Sequence, residues 1–235
     1  MKVYLIGAGL GRPQYLTQQA RQHLEKADIL IYDALVDEAI LDLVSSHCRK
    51  IYVGKRGGKP STPQREINRL LVESAQQNQH VVRLKNGDPF IFGRVREEIE
   101  ALKTIGCDVE IIPGLSSAIT APLLAGIPLT DKVLSRSFSV ITAHEPAQLE
   151  WEALARIDTL VILMGGRNLA LITEQLMLAG KASSCPIAII RKAGTDEQQV
   201  WVGTLETIVE ITQGNQLSPT VMLVGEVVNL RSLFS

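Results

Sequence analysis

The feature that most constrains this chain is a series of short apolar runs, each ending in a loop rich in glycine and polar residues. The runs cover residues 3–6, 29–32, 50–53, 81–84 and 109–112. They carry little polar alternation, as expected of strands buried on both faces of a parallel sheet. Helical patterns lie between them. The clearest is 63–77, where Ile67, Leu70, Leu71, Ser74 and Ala75 fall on one face, with Ser61, Thr62 and Pro63 marking its start. Such βα alternation predicts a wound parallel sheet.

The alternation breaks at "GIPLTDKVLSRS", residues 126–137, which reads as a linker. Beyond it the pattern predicts strands at 138–141 and 159–163, a helix at 169–179, strands at 187–190 and 199–202, a helix at 205–212 and a strand at 221–224. The short turn "KAGTDE" between two of these strands predicts antiparallel pairing and hence a mixed second sheet. The expected architecture is two α/β domains, residues 1–126 and 127–235. The first has a mostly parallel sheet with flanking helices, and the second a mixed sheet.

Composition narrows the partners. Lys and Arg number 24 against 25 Asp and Glu, so no global field favours nucleic acid or an anionic membrane. No apolar stretch reaches the roughly 18 residues of a membrane span. Cys48, Cys107 and Cys185 are odd in number and far apart, and the histidines show no ligand spacing with them, which argues against a disulfide framework and a metal site. A cytoplasmic, soluble, metal-free protein is expected.

The opening "VYLIGAGLGRP" resembles the start of a dinucleotide fold. Gly7 and Gly9 match the first two positions of a GxGxxG fingerprint, but Arg12 holds the third, and Pro13 delays the helix to about residues 16–17. Asp33 ends the second run where an acidic ribose ligand could sit, a little far from Gly7. Taken alone, this loop admits three readings: a dinucleotide site, a site for another small molecule, and a tight strand-to-helix turn.

The other runs end in "YDALV", "VGKRGGKPS", "LKNGDPFIFGR" and "IPGLSSA". In a parallel sheet these carboxyl ends share one edge, where open α/β proteins bind ligands. Residues 7–11, Asp33, Lys55, Gly87, Asp88, Ser116 and Ser117 are therefore expected to face a common cleft. Each loop singly also reads as a capped turn or a solvated charge run. Lys55, Arg56, Lys59, Lys85, Arg94 and Arg96 would bias the cleft positive, a match for a substrate with several carboxylates or a phosphate. Asp33 is the acid placed to balance that charge or move a proton.

"GAGLG", "YDALV", "VGKRGG", "RLKNGDPFIFGR", "PGLSSA" and "AGIPLT", in this order, resemble the uroporphyrinogen-III C-methyltransferases of the tetrapyrrole methylase family, and the similarity continues to "SPTVMLVGEVVNL". The resemblance implies two α/β domains, a homodimer, and S-adenosylmethionine (SAM) bound in a cleft between domains, with S-adenosylhomocysteine as product. The implied activity is methylation of uroporphyrinogen III at C2 and C7, giving precorrin-2 via precorrin-1 for sirohaem and cobalamin synthesis. A methyltransferase acting on a later corrinoid precursor is the nearest alternative. An NAD-binding oxidoreductase and a non-catalytic tetrapyrrole-binding protein are the alternatives of other classes. By the same resemblance Asp33 is the proton acceptor and Lys55 the proton donor. Leu10, Asn86, Gly87, Asp88, Ile91, Ser116, Ser117, Met164, Ala193 and Thr220 match cofactor contacts. Arg56, Arg94, Lys132 and Arg136 are candidate anchors for substrate carboxylates. The chain departs from the family pattern at Leu10 (usually proline), Arg12 (usually an acid), Asn86 (glycine), Val95–Arg96 (a glycine pair) and Ala143 (glycine). Asparagine at 86 is compatible with a left-handed backbone.

Overall fold

The computed structural model describes residues 1–54, 62–77 and 79–234. The chain divides into two compact units, 1–116 and 117–235.

The first unit holds β1 (Lys2–Gly7), β2 (Ile29–Tyr32), β3 (Arg49–Tyr52), β4 (Val81–Lys85) and β5 (Asp108–Ile112). All pair in parallel, in the order β3-β2-β4-β1-β5. The helices are α1 (Gln18–Glu25), α2 (Glu38–Leu41), α3 (Gln64–Gln76) and α4 (Val95–Lys103). Alternation along each strand splits its side chains between two cores. On one face Val3, Leu5, Ile29, Ile31 and Val81 pack with Ile67 and Leu71 of α3 and Leu102 of α4. On the other, Ile6, Leu30, Val82 and Leu84 pack with Leu24 of α1 and Ile40 of α2. Both faces are covered, which is why the runs lack polar alternation.

The helix starts follow local chemistry. Pro13–Tyr15 forms a 3-10 turn, and α1 begins only after Thr17, whose hydroxyl accepts from the Ala20 N–H at 3.1 Å. The expected cap of α3 differs. Pro63 itself occupies the N-cap with no side-chain bond, so Thr62 does not cap; Ser61 lies outside the described residues.

The second unit holds α5 (Ser117–Leu124), β6 (Phe138–Thr142), α6 (Trp151–Ala155), β7 (Thr159–Leu163), α7 (Leu169–Leu178), β8 (Pro186–Arg191), β9 (Gln199–Thr204), α8 (Ile208–Ile211) and β10 (Thr220–Val224). The order is β6-β7-β10-β8-β9. β6 and β7 are parallel, and the β7–β10, β10–β8 and β8–β9 pairs are antiparallel, giving the expected mixed sheet. The unit begins with α5 at Ser117, ahead of the expected boundary at 126/127. Ala118, Ala121 and Ala125 pack on Val161, Leu163, Ile190 and Leu223, so α5 belongs to the second core. The predicted helix at 205–212 shortens to α8 because the Thr207 hydroxyl accepts the Thr204 N–H at 3.0 Å and holds 204–207 as a turn. Among the described residues, no helix is long and apolar enough to cross a membrane.

Candidate active site

Parallel pairing brings the ends of β1, β2, β4 and β5 to one edge, and backbone contacts bind their loops together. A Cβ on Gly7 would lie 2.5 Å from both the Gly114 nitrogen and the Gly87 oxygen; one on Gly114 would lie 2.2 Å from that same oxygen. Three loops thus meet backbone to backbone, and only glycine allows the approach. The Gly9 N–H donates to the Gly87 carbonyl at 3.2 Å, and the Gly87 N–H to the Gly9 carbonyl at 2.8 Å. The Gly11 N–H turns back to the Ala8 carbonyl at 3.1 Å. A pyrophosphate cradle needs such N–H groups free to donate. Here they are spent on the loops themselves, so the glycine run is a staple between loops, and the dinucleotide reading loses its donors.

Asp88 performs a second stapling. One carboxylate oxygen accepts the Phe90 N–H at 2.9 Å and the other the Gly114 N–H at 3.2 Å, tying the β4 loop to the β5 loop. Asn86 adds a third tie, since its side-chain amide donates to the Ala34 carbonyl in the β2 loop. The left-handed backbone compatible with asparagine at 86 falls instead on Gly87, at φ 65°. Asn86 Oδ1 is buried without a hydrogen-bond partner among the described residues.

Asp33 follows β2, its backbone N–H bonded to the Leu84 carbonyl at 3.3 Å. Its Oδ1 accepts from Arg83 Nη2 at 2.7 Å, and the carboxylate side chain is 25% exposed. Arg83 and Lys85 both point to the α3/α4 face of β4 and both bond Glu98 Oε1 of α4, at 3.1 and 2.9 Å. Burial pushes the Lys85 ammonium below its ordinary pKa, with the Arg83 charge adding to the effect.

Of the six cations expected to bias the cleft positive, the three described ones are each paired with an acid. Lys85 is buried on Glu98, Arg94 forks onto Glu97 at 2.9 and 3.0 Å, and Arg96 pairs with Glu100 at 2.6 Å. Each cation near the β4 loop meets an acid of "REEIE" on α4, whose i+3 and i+4 spacing sets the Arg94 and Arg96 pairs. Lys55, Arg56 and Lys59 lie outside the described residues. Leu10 is half-buried in the β1 turn, Ile91 is exposed, and Ser116 ends the first unit.

In the second unit the candidate positions also gather at one edge. Met164 follows β7, Ala193 lies just beyond β8, and Thr220 opens the antiparallel β10 opposite Arg191. The Thr220 hydroxyl donates to the Ile190 carbonyl at 3.0 Å. Ser117 opens α5. Lys132 and Arg136 are exposed on the loop before β6, the Arg136 Nε 3.5 Å from the Lys132 carbonyl.

A backbone signal invisible in the sequence marks both edges. Among the described residues, Leu35, Phe92, Arg94, Met164 and Lys192 are the non-glycine residues with left-handed φ, between 47° and 70°. All follow β2, β4, β7 or β8 at these edges. Such conformations cost about 1–2 kcal/mol per residue and cluster where function requires them. Arg83, Glu98 and the Ala34 tie also escaped sequence reasoning. Two cations within an otherwise apolar strand, "VVRLK", were the available signal.

Comparison with known proteins agrees with the loops. The family described as Tetrapyrrole (Corrin/Porphyrin) Methylases matches residues 2–209. The uroporphyrinogen-III C-methyltransferase of Synechococcus elongatus is 53% identical over 100% of this chain and 96% of its own length. The S-adenosyl-L-methionine-dependent uroporphyrinogen III methyltransferase of Methanosarcina barkeri is 41% identical over 99% of this chain and 94% of its own. The crystal structure of uroporphyrin-III C-methyl transferase from Thermus thermophilus, complexed with S-adenosyl homocysteine, superposes with a TM-score of 0.85 at 35% identity, covering 98% of this chain and 100% of that one. This chain belongs to the tetrapyrrole methylase family.

Proposed function

We propose that the chain transfers methyl groups from SAM to uroporphyrinogen III at C2 and C7, forming precorrin-2 by way of precorrin-1. The observation that carries this reading is the gathering of the family-like loops after β1, β2, β4 and β5 at one sheet edge, with the Asp33 carboxylate among them. Full-length likeness to enzymes of that name supports the substrate and the methyl donor.

The residues suit SAM. Exposed Ile91 and Met164 offer apolar surface, and Asn86, whose Oδ1 is buried without a hydrogen-bond partner among the described residues, is proposed to meet the cofactor through its loop. Gly87, Asp88, Leu10, Ser116, Ser117, Ala193 and Thr220 complete the proposed contacts. Asp88 serves by holding its loop, both oxygens being used by backbone N–H groups. Bound there, SAM supplies an electrophilic methyl group on a sulfonium sulfur.

The pyrrole carbon is itself electron-rich, so the protein needs no side-chain nucleophile. Its task is to hold the reacting atoms in line, at about 3–3.5 Å. A C–H bond of the macrocycle then breaks, its electrons remain in the ring system, and Asp33 takes the proton. Lys55 is the proposed proton donor. Lys132 and Arg136, exposed and without a salt bridge among the described residues, and Arg56 are proposed to meet the substrate's carboxylates. Arg94 would have to exchange its Glu97 partner to join them. A homodimer in the cytoplasm belongs to the same reading, the first part of which light scattering tests.

Incubating the purified protein with labelled SAM and uroporphyrinogen III should place label on that substrate and yield the dimethylated dipyrrocorphin. Absence of label there, with transfer to a later corrinoid precursor in a parallel panel, would reassign the substrate. Calorimetry should show binding of SAM and S-adenosylhomocysteine, and tight binding of NAD alone would overturn the reading.

A further inference from the structure

Arg83 is 1% exposed in the middle of a strand whose other side chains, Lys85 apart, are apolar, and Glu98 is fully buried beneath it. Burying an ion costs several kcal/mol unless partners of good geometry compensate, and an apolar replacement of similar volume is often at least as stable. A cluster of this kind serves stability poorly, which raises the question of what it holds.

The bonding pattern answers it. All three guanidinium nitrogens of Arg83 are used: Nη2 donates to Asp33 Oδ1 at 2.7 Å, Nε to Glu98 Oε1 at 3.1 Å and Nη1 to the Leu84 carbonyl at 3.1 Å. A planar fork fixed at two points can aim its third bond in only one direction. Lys85, two residues along the same face, donates to the same Glu98 oxygen at 2.9 Å. Two cations and two anions balance. Of the four groups only Asp33 reaches solvent, its side chain 25% exposed against 5% or less for the others. Its Oδ2 has no hydrogen-bond partner among the described residues.

We propose that Arg83 is a positioning residue for Asp33: anchored by Glu98, it occupies Oδ1 and leaves Oδ2 as the oxygen that takes the proton from the macrocycle. Lys85 keeps the buried acid compensated, so that Glu98 does not draw Arg83 away from Asp33. The proposal rests on the reading of Asp33 as proton acceptor. In the step itself, the macrocycle's C–H bond breaks, the electron pair stays in the ring, and an O–H bond forms at Oδ2 while the Arg83 bond to Oδ1 persists.

A double-mutant cycle tests it, with Arg83→Met, Asp33→Asn and their combination assayed for kcat and for the KM of each substrate. Misaiming a catalytic group by about an ångström costs on the order of 100-fold in rate. Arg83→Met should therefore lower kcat by about that factor with both KM values near the unmodified protein's. The double variant should be no slower than Asp33→Asn alone, because groups acting as one unit are non-additive. Arg83→Lys, which keeps the charge and loses the fork, should recover only part of the rate. Losses that multiply in the double variant, or a full kcat in Arg83→Met, would overturn the proposal. Should Arg83→Met not fold, Glu98→Gln takes its place, with the same kcat loss at constant KM expected and an unchanged kcat counting against it. A crystal structure of whichever variant folds gives a readout apart from activity. Asp33 should leave its single orientation, and an unmoved carboxylate would refute the positioning role. Full turnover by Asp33→Asn would instead remove the proton-acceptor assignment on which the proposal stands, and that outcome is recognisable because Asp33 alone is changed.

Discussion

The two units solve the same packing problem with different polar chemistry. Each has a five-stranded sheet covered on both faces, yet among the described residues the buried charges, Arg83, Lys85 and Glu98, all lie in the first unit. The second buries hydroxyls instead. The Thr159 hydroxyl donates to Ser135 Oγ at 2.7 Å, which donates onward to the Ser137 carbonyl at 2.8 Å; Thr173 and Thr212 bond carbonyls of their own helices. A neutral hydroxyl costs little to bury and is usually met by a nearby carbonyl, whereas each buried ion needs an opposite charge beside it. The contrast teaches where to look for chemistry: the first unit accepts an energetic burden beneath Asp33 that the second does without.

The largest effect should fall on activity. Asp33→Asn should lower kcat by about 10²- to 10⁴-fold, the usual share of general acid–base catalysis, with a smaller loss of stability than Glu98→Leu because Asp33 is partly exposed and asparagine keeps an acceptor for Arg83; methyl incorporation and a urea titration check both halves. Next comes the burden itself. Glu98→Leu leaves Arg83 and Lys85 facing Asp33 alone and should cost about 3–5 kcal/mol. Both tryptophans, Trp151 and Trp201, lie in the second unit. Circular dichroism should therefore register this loss while the tryptophan emission midpoint stays nearly fixed. Equal shifts by both probes would break the contrast between two separate cores.

Gly114→Ala probes the stapled edge. Its Cβ would sit 2.2 Å from the Gly87 oxygen, so about 1–3 kcal/mol of destabilisation is expected from overpacking, read from the denaturant midpoint. In the second unit, Thr159→Val removes one hydroxyl bond while Ser135 keeps its own, for a loss of about 0.5–1.5 kcal/mol visible in tryptophan emission. A Thr159→Val effect as large as that of Glu98→Leu would erase the distinction drawn here.

The smallest effect concerns pH. His80 stacks on Tyr4 and His23 packs tilted against it in the first unit, His23 Nδ1 3.3 Å from His80 Nε2, and burial holds both below the ordinary value of 6.5. The unfolded chain then binds more protons than the folded one between the lowered values and 6.5. Stability should be full above 6.5 and decline as pH falls through that window. His80→Gln should flatten the decline in melting temperature between neutral and mildly acidic buffer, and an unchanged slope would count against the pair.

Local chemistry made much of the molecule legible. The strands emerged within a residue or two because continuous apolar runs of β-branched residues have few other uses. The late start of α1 was readable from Pro13, and the mixed second sheet from one short turn between two strands. The loops after β1, β2, β4 and β5 were legible as a set because parallel pairing forces carboxyl ends to one edge. Charge was less legible. Lys85, Arg94 and Arg96 look in sequence like a basic patch, but Glu98, Glu97 and Glu100 cancel them. Helix spacing accounts for the last two pairs, whereas Lys85 meets Glu98 across a strand–helix contact.

The division between sequence and tertiary structure follows the range of the interactions. By itself the sequence determined the βα rhythm, the glycine positions at strand ends and the mixed second sheet, because periodicity and turn chemistry act over a few residues. Tertiary structure decided that β4 lies between β2 and β1, and this order sets Arg83 beside an Asp33 fifty residues earlier in the chain. It also decided that α5 joins the second core, that Asp88 spends both oxygens on loops, and that the glycine run staples rather than cradles. Each of these depends on which distant backbone arrives alongside, and no local pattern carries that information.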